Sequence, residues 1–243
     1  MIDWLLLPID TSRPHDLDMA AAWHGRFMVV AWAFLLPIGI LAARYLKVTP
    51  RQDWPREVDS RLWWRTHRTT QYAGTAATIL ALVLVWQSDD YGARVHPLLG
   101  YATVILCLSQ VLAAWLRGTK GGPTEPTLAG DHYDMTPRRR AFELFHKFAG
   151  YAALMLACAA ILTGLWVANG YRWMLVGVVG WWAVLAALFV IGERRGMCVD
   201  TYQAIWGPGT HHPGNRIPPI GVNVQRPDPE ARRSIRREAS TRA

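Results

Sequence analysis

The chain is short of charge and of cysteine. Asp, Glu, Lys and Arg make up 18% of its 243 residues, and they cluster between long apolar runs. Several of those runs are long enough to cross a bilayer, which argues against a soluble globule and excludes a disordered chain. The three cysteines are Cys107, Cys158 and Cys198. None belongs to a CxxC or CxxCH, so no disulfide framework, cysteine-rich zinc site or covalent haem attachment is readable. Paired acidic residues inside the apolar runs, a mark of transporters, are lacking too. The opening MIDWLLLPIDTSRPHDLD has no basic leading region and too short an apolar run for a signal peptide. Leu5 to Pro8 is expected at the membrane interface.

What is present is apolar and aromatic: 51% hydrophobic residues and 13 tryptophans. Five segments read as transmembrane helices: roughly Met19 to Ala43, Arg68 to Ser88, Val95 to Leu116, Phe148 to Tyr171 with an amphipathic lead-in from Ala141, and Trp173 to Gly192. Each suits a ~30 Å hydrocarbon core at ~1.5 Å per residue. Pro37 is expected to kink the first. The fold class is therefore an all-α membrane protein, with a four-helix transmembrane core and a fifth transmembrane helix. Residues 1–18 form an N-terminal segment, 19–192 the membrane domain, and 193–243 a basic Pro/Gly/Arg-rich tail. Within that tail, Thr201 to Val224 is expected to pack on the membrane face, and Arg226 onward to be solvated and disordered.

Lys and Arg outnumber Asp and Glu by 26 to 18. They gather between helices one and two, between three and four, and after helix five. The positive-inside rule then places the N-terminus outside and the C-terminus in the cytoplasm. The excess points to topology and anionic lipid rather than to nucleic acid.

Four of the eight histidines stand near the starts of four successive helices: His24, His67, His96 and His146. Because the chain alternates direction, His24 and His96 lie toward the outside, His67 and His146 toward the cytoplasm. Each pair comes from alternate helices, which are diagonal partners in a four-helix bundle. A lone histidine at a membrane end is usually interfacial or hydrogen-bonded. Four of them sorted two by two suit axial ligands to haem iron, one haem per leaflet. Gly100 follows His96 by four residues and Gly150 follows His146 by four, so each could let a flat ring approach the backbone. Gln71 and Met28 take the equivalent places after His67 and His24. Arg26, Arg68 and Lys147 are candidates for haem propionates. Snorkelling to headgroups is the alternative for them. His15 and His132 read as loop residues, and His211 and His212 as solvated.

HGRFMVVAWAFLLPIGILAARY, beginning at His24, resembles the first core helix of the cytochrome b561 family, closest to the branch often fused to extracellular sensory-type domains. WWRTHRTTQ around His67, HPLLGYATVILCLSQ from His96 and FHKFAGYAALMLACAAILTGL around His146 resemble the second, third and fourth. The resemblance runs from about Ala21 to Trp166. It implies two non-covalent b haems, His24 paired with His96 and His67 with His146, and transmembrane electron transfer, often by a homodimer. Better-known eukaryotic members take electrons from ascorbate inside and reduce monodehydroascorbate or ferric chelates outside. The chain departs from them in having five helices rather than six, no fused domain and no clear ascorbate-binding stretch. Arg44 and Lys47 stand where relatives place basic substrate contacts, a place the positive-inside rule also fills.

The expected function is electron transfer from a cytoplasmic or membrane donor to an outer acceptor. The donor and acceptor would be small molecules, quinol among them, or a redox partner protein. The expected location is a bacterial inner membrane. Two rivals remain at this stage: a haem b anchor subunit of a larger redox complex, and a haem-free scaffold or transporter.

Overall fold

A computed structural model describes residues 2–86 and 93–227. Ser88 and the Asp89–Gly92 loop, like nearly all of the tail beyond Arg226, lie outside these residues. The described residues are helical, with no strand beyond two isolated bridges, Pro8 to Tyr171 and Val199 to Gln225. A short helix α1 (Ile2–Leu5) is followed by five long ones: α2 (Met19–Tyr45), α3 (Arg61–Val85), α4 (Val95–Trp115), α5 (Pro137–Val167) and α6 (Arg172–Arg194). A last short helix, α7, covers Thr201–Trp206.

Among the described residues four helices, α2, α4, α5 and α6, are both long and apolar enough to cross a membrane. α3 has 25 residues, about 37 Å at 1.5 Å each, so length is not its limit. Its first three turns carry Arg61, Arg65, His67, Arg68 and Gln71, and its continuous apolar part begins only near Tyr72. The second expected span thus lies on a full-length helix with a polar first half.

The Pro37 expectation takes a specific form. Pro37 has no N–H to give to the carbonyl of Ala33, one turn back. The turn before it, Val30–Leu35, is π-helical, and Leu36 N–H reaches back five residues to Ala31. The Ala33 carbonyl accepts instead from Trp181 Nε1 at 2.7 Å.

The chain divides into two compact units, the first made of Met1–Ile40, His67–Val111 and Ala149–Phe189. Its core is Ala31, Trp32, Ala33, Leu36, Cys107, Ala153, Ala157, Ile161 and Val178. Small residues on α2 and α5, Ala31, Ala33, Ala153 and Ala157, share this core, as is usual where lipid replaces water as solvent. The opposite faces stay apolar and exposed, as with Leu98, Tyr101, Ile105 and Leu108 on α4. The N-terminal segment is bonded to the α5–α6 turn through Ile9 N–H to Gly170 O (2.9 Å) and Arg172 N–H to Leu7 O (3.0 Å).

The second unit comprises Leu41–Thr66, Leu112–Phe148 and Val190–Ala243. All six residues of α7 are buried, and Tyr202, Ile205 and Trp206 pack with Trp63 and Met135. Val48, Trp54, Val199 and Ala204 form a second cluster. Arg226, expected to begin a solvated tail, is instead held in place. It donates to Asp200 Oδ2 (2.7 Å) and to the carbonyls of Asn215 (3.0 Å) and Gly214 (3.1 Å). The reason is that Asp200 is buried while capping α7, and a buried carboxylate needs a counter-charge.

Candidate functional site

His24 lies in the second turn of α2, whose start is capped by Asp18 accepting from Ala21 N–H at 2.7 Å. His96 is the second residue of α4. Their ring centres are 6.1 Å apart and their planes nearly perpendicular, at 89°. His24 Nδ1 bonds the Ala81 carbonyl at 2.9 Å, and His96 Nδ1 bonds the Ala160 carbonyl at 3.0 Å. A carbonyl only accepts, so each Nδ1 carries the hydrogen and each Nε2 carries the lone pair. Such an outer hydrogen bond fixes the ring and raises the basicity of the ligating nitrogen.

Two imidazoles on opposite sides of one metal ion need ring centres about 6 Å apart, given about 2 Å from metal to nitrogen and about 1.1 Å from nitrogen to ring centre. The observed spacing and tautomers meet that requirement. The protein leaves room beside the pair as well: a Cβ on Gly100, one turn past His96, would meet nothing within 4 Å. The residues fit a haem held by two histidines.

His67 repeats the pattern in the same unit, with Nδ1 on the Gly39 carbonyl at 3.1 Å. Gln71, one turn on, donates to the Leu36 carbonyl at 3.1 Å. A Cβ on Gly150 would meet only Gln110 Oε1, at 3.9 Å, and Gln110 Nε2 is buried with no hydrogen-bond partner. Open space beside an unsatisfied amide also suits a large bound group. His146 belongs to the second unit, where Phe142 stacks on it at 5.1 Å.

The expected basic residues differ in setting. Arg26 is exposed and lies 4.9 Å over the Trp23 ring, and Arg68 is exposed. Lys147 donates to Glu143 Oε2 (2.8 Å) and to the Ile220 carbonyl (2.7 Å). Arg44 and Lys47 are only 9% and 6% exposed. Arg44 pairs with Glu193 at 2.7 Å, and Lys47 donates to the Val199 carbonyl at 3.1 Å. Burial, reinforced by the charge of Lys147, pushes Lys47 down to about 8. His15 sits on the carbonyls of Ala168 and Asn169. The rings of His211 and His212 are 3.9 Å apart, and among the described residues no group of three or more metal-binding side chains comes together.

Sequence reasoning missed the residues that orient the ligands. A Cβ on Gly164 would stand 2.9 Å from His96 Cε1, so the absence of a side chain there admits the ring. A Cβ on Gly39 would collide with Thr70 and Gln71. Both glycines lie in the stretches that carry the resemblance, but nothing local marks them as partners of a histidine.

Residues 23–169 match the family described as Eukaryotic cytochrome b561. The chain is 30% identical over 152 residues to a cytochrome b561, DM13 and DOMON domain-containing protein of Arabidopsis thaliana, covering 62% of this chain and 15% of that one. It is 30% identical over 162 residues to Ferric-chelate reductase 1 of Bos taurus, covering 65% and 24%. A putative ferric-chelate reductase 1 of Danio rerio is 30% identical over 187 residues, covering 75% and 30%. The chain thus spans less than a third of the length of each of these relatives. All three are eukaryotic, so they lend no support to the expected bacterial membrane. No solved structure matches the chain.

Proposed function

The chain belongs to the cytochrome b561 family, and from that premise we propose that it carries electrons across a membrane through two non-covalent b haems. His24 and His96 would hold the outer haem, His67 and His146 the inner one. The observation that carries this reading is the facing His24–His96 pair, 6.1 Å apart, each ring oriented through Nδ1 by a main-chain carbonyl. His67 is oriented in the same way by Gly39. A haem held between two histidines would supply a one-electron couple, with no position left for oxygen. The protein's own contribution is to orient the imidazoles through main-chain carbonyls. Gly100 and Gly150 leave space for the rings, and Arg26, Arg68 and Lys147, each within two residues of a ligand, are candidates for the propionates.

The direction rests on charge. Five of the 26 basic residues and six of the 18 acidic ones fall in the first unit; the second holds 21 and 12, a net −1 against +9. The positive-inside rule assigns the loops of the second unit to the cytoplasm. Electrons then pass from a cytoplasmic or membrane donor to an acceptor outside. The names of the bovine and zebrafish relatives favour a ferric chelate as acceptor. Arg44 and Lys47, buried and internally bonded, shape the donor side rather than projecting to a donor. The homodimer implied by the resemblance belongs to the same reading.

A reduced-minus-oxidised spectrum with haem counted per chain tests it. Two b haems per chain, both extractable by acid-acetone, are expected; one haem in an intact, fully loaded preparation would overturn the two-leaflet path. His24→Ala and His96→Ala should remove the same spectral component, and His67→Ala and His146→Ala the other. Loss of one component by His24→Ala and His67→Ala together would refute the pairing.

A further inference from the structure

The carbonyls that receive the imidazoles follow a count. Ala81, which receives His24, lies 14 residues after His67. Ala160, which receives His96, lies 14 residues after His146. Gly39, which receives His67, lies 15 residues after His24. In an α-helix 14 residues make about 3.9 turns, so the chain returns to nearly the same face about 21 Å further on. Three of the four helices that offer a histidine at one level, α2, α3 and α5, therefore offer a carbonyl to another histidine at the other level. A count of 15 would turn the carbonyl about 100° further, off that face.

The extra residue in α2 is absorbed where the helix is π-helical. One π-helical turn adds a residue to an α-helix while keeping the faces before and after it in line. That turn is Val30–Leu35, between His24 and Gly39. It is held from both sides: Pro37 withholds the N–H that Ala33 would receive, and Trp181 Nε1 takes that carbonyl at 2.7 Å. Gly39 completes the arrangement, because any side chain there would strike Thr70 and Gln71, one turn beyond His67.

We propose that the π-helical turn, held by Pro37 and Trp181, is a register device that aims the Gly39 carbonyl at His67 and so orients a ligand of the inner haem. Pro37 and Trp181 are positioning residues; they act through Gly39 and need no contact with the haem. The inference rests on the two-haem reading above.

Single-residue deletions test it in the purified full-length protein. Val30 lies in the π-helical turn and is 47% exposed; Ile79 lies in the regular helix between His67 and Ala81 and is 46% exposed. Deleting Val30 restores the 14-residue count, so two haems per chain and both low-spin components are expected. Deleting Ile79 shortens a regular count to 13 and should remove the outer component, halving the haem content. Equal loss in both deletions, or full retention in both, would overturn the register idea. Trp181→Phe keeps an aromatic ring and removes the N–H, and it should shift the midpoint potential of the inner haem while leaving the outer one in place. An unchanged inner potential would remove Trp181 from the device. A wild-type protein without two low-spin haems would bring down the two-haem reading itself, an outcome separable from each of these.

Discussion

Gly164 and His96 illustrate how much rests on single residues. The imidazole occupies the space that a side chain at 164 would fill, and its Nδ1 is committed to Ala160. A ring held on one side and crowded on the other cannot keep its place. Gly164→Ala is expected to cost the outer haem, up to half of the haem per chain, and to leave the inner component intact; undiminished haem content would show that the ring has room to retreat. His132, in the second unit, offers a pH test. It is buried against Tyr202 and Trp206. Burial, with Arg139 beside it, pushes its pKa from 6.5 down to about 3, against the pull of Glu143. Between those values the unfolded chain binds a proton that the folded one refuses, so stability rises with pH across that window and is lost as pH falls through it. His132→Phe should flatten the acid limb of thermal stability between pH 6.5 and 3. Parallel limbs for the two proteins would refute this.

Elements are joined here by side chains that satisfy main-chain groups. Asn169 stands in the left-handed region at φ 44°, a conformation that asparagine tolerates better than most residues. It accepts from Asp10 N–H at 2.9 Å and donates to the carbonyls of Asp10 (2.9 Å) and Arg13 (2.8 Å). One side chain thus ties the N-terminal segment to the turn between α5 and α6. At roughly 1 kcal/mol per bond, plus the strain of the new residue, Asn169→Ala should cost about 2–4 kcal/mol. Hydrogen exchange at residues 9–14 should quicken while exchange in α4 stays slow; unchanged protection at 9–14 would show that the segment is held by other means. α3 makes a related point. Its polar first half lowers its average hydropathy, yet that half carries His67 and Gln71, which bond carbonyls of α2. The polarity that makes α3 a poor span by composition is what lets it engage a neighbouring helix.

At the scale of the whole molecule, charge and apolar surface are partitioned. Only 6% of the apolar stretch of α6 is buried, and 17% of that of α4. Apolar faces of this extent require lipid or another apolar partner. The bases sit in the unit that holds the loops after α2 and α4 and the chain after α6. A reporter fused after Ala243 should be active on the cytoplasmic side, and one inserted between residues 89 and 92 on the outside. The reverse result would exchange the donor and acceptor sides and leave the pairing of histidines untouched.

Some of this was determined by the amino-acid order alone. The membrane class and five long helices follow from hydropathy runs, which are local or countable properties. The family resemblance was legible in the stretches around His24, His67, His96 and His146. Other features were decided only by tertiary structure. The carbonyls of Ala81, Ala160 and Gly39, the close approach at Gly164, the hold of Trp181 on the turn before Pro37, and the anchoring of Arg226 on Asp200 have no sequence signature. A main-chain carbonyl is the same group at every position. Which one meets an imidazole depends on the rotation and rise of a neighbouring helix, quantities that exist only once the helices have packed.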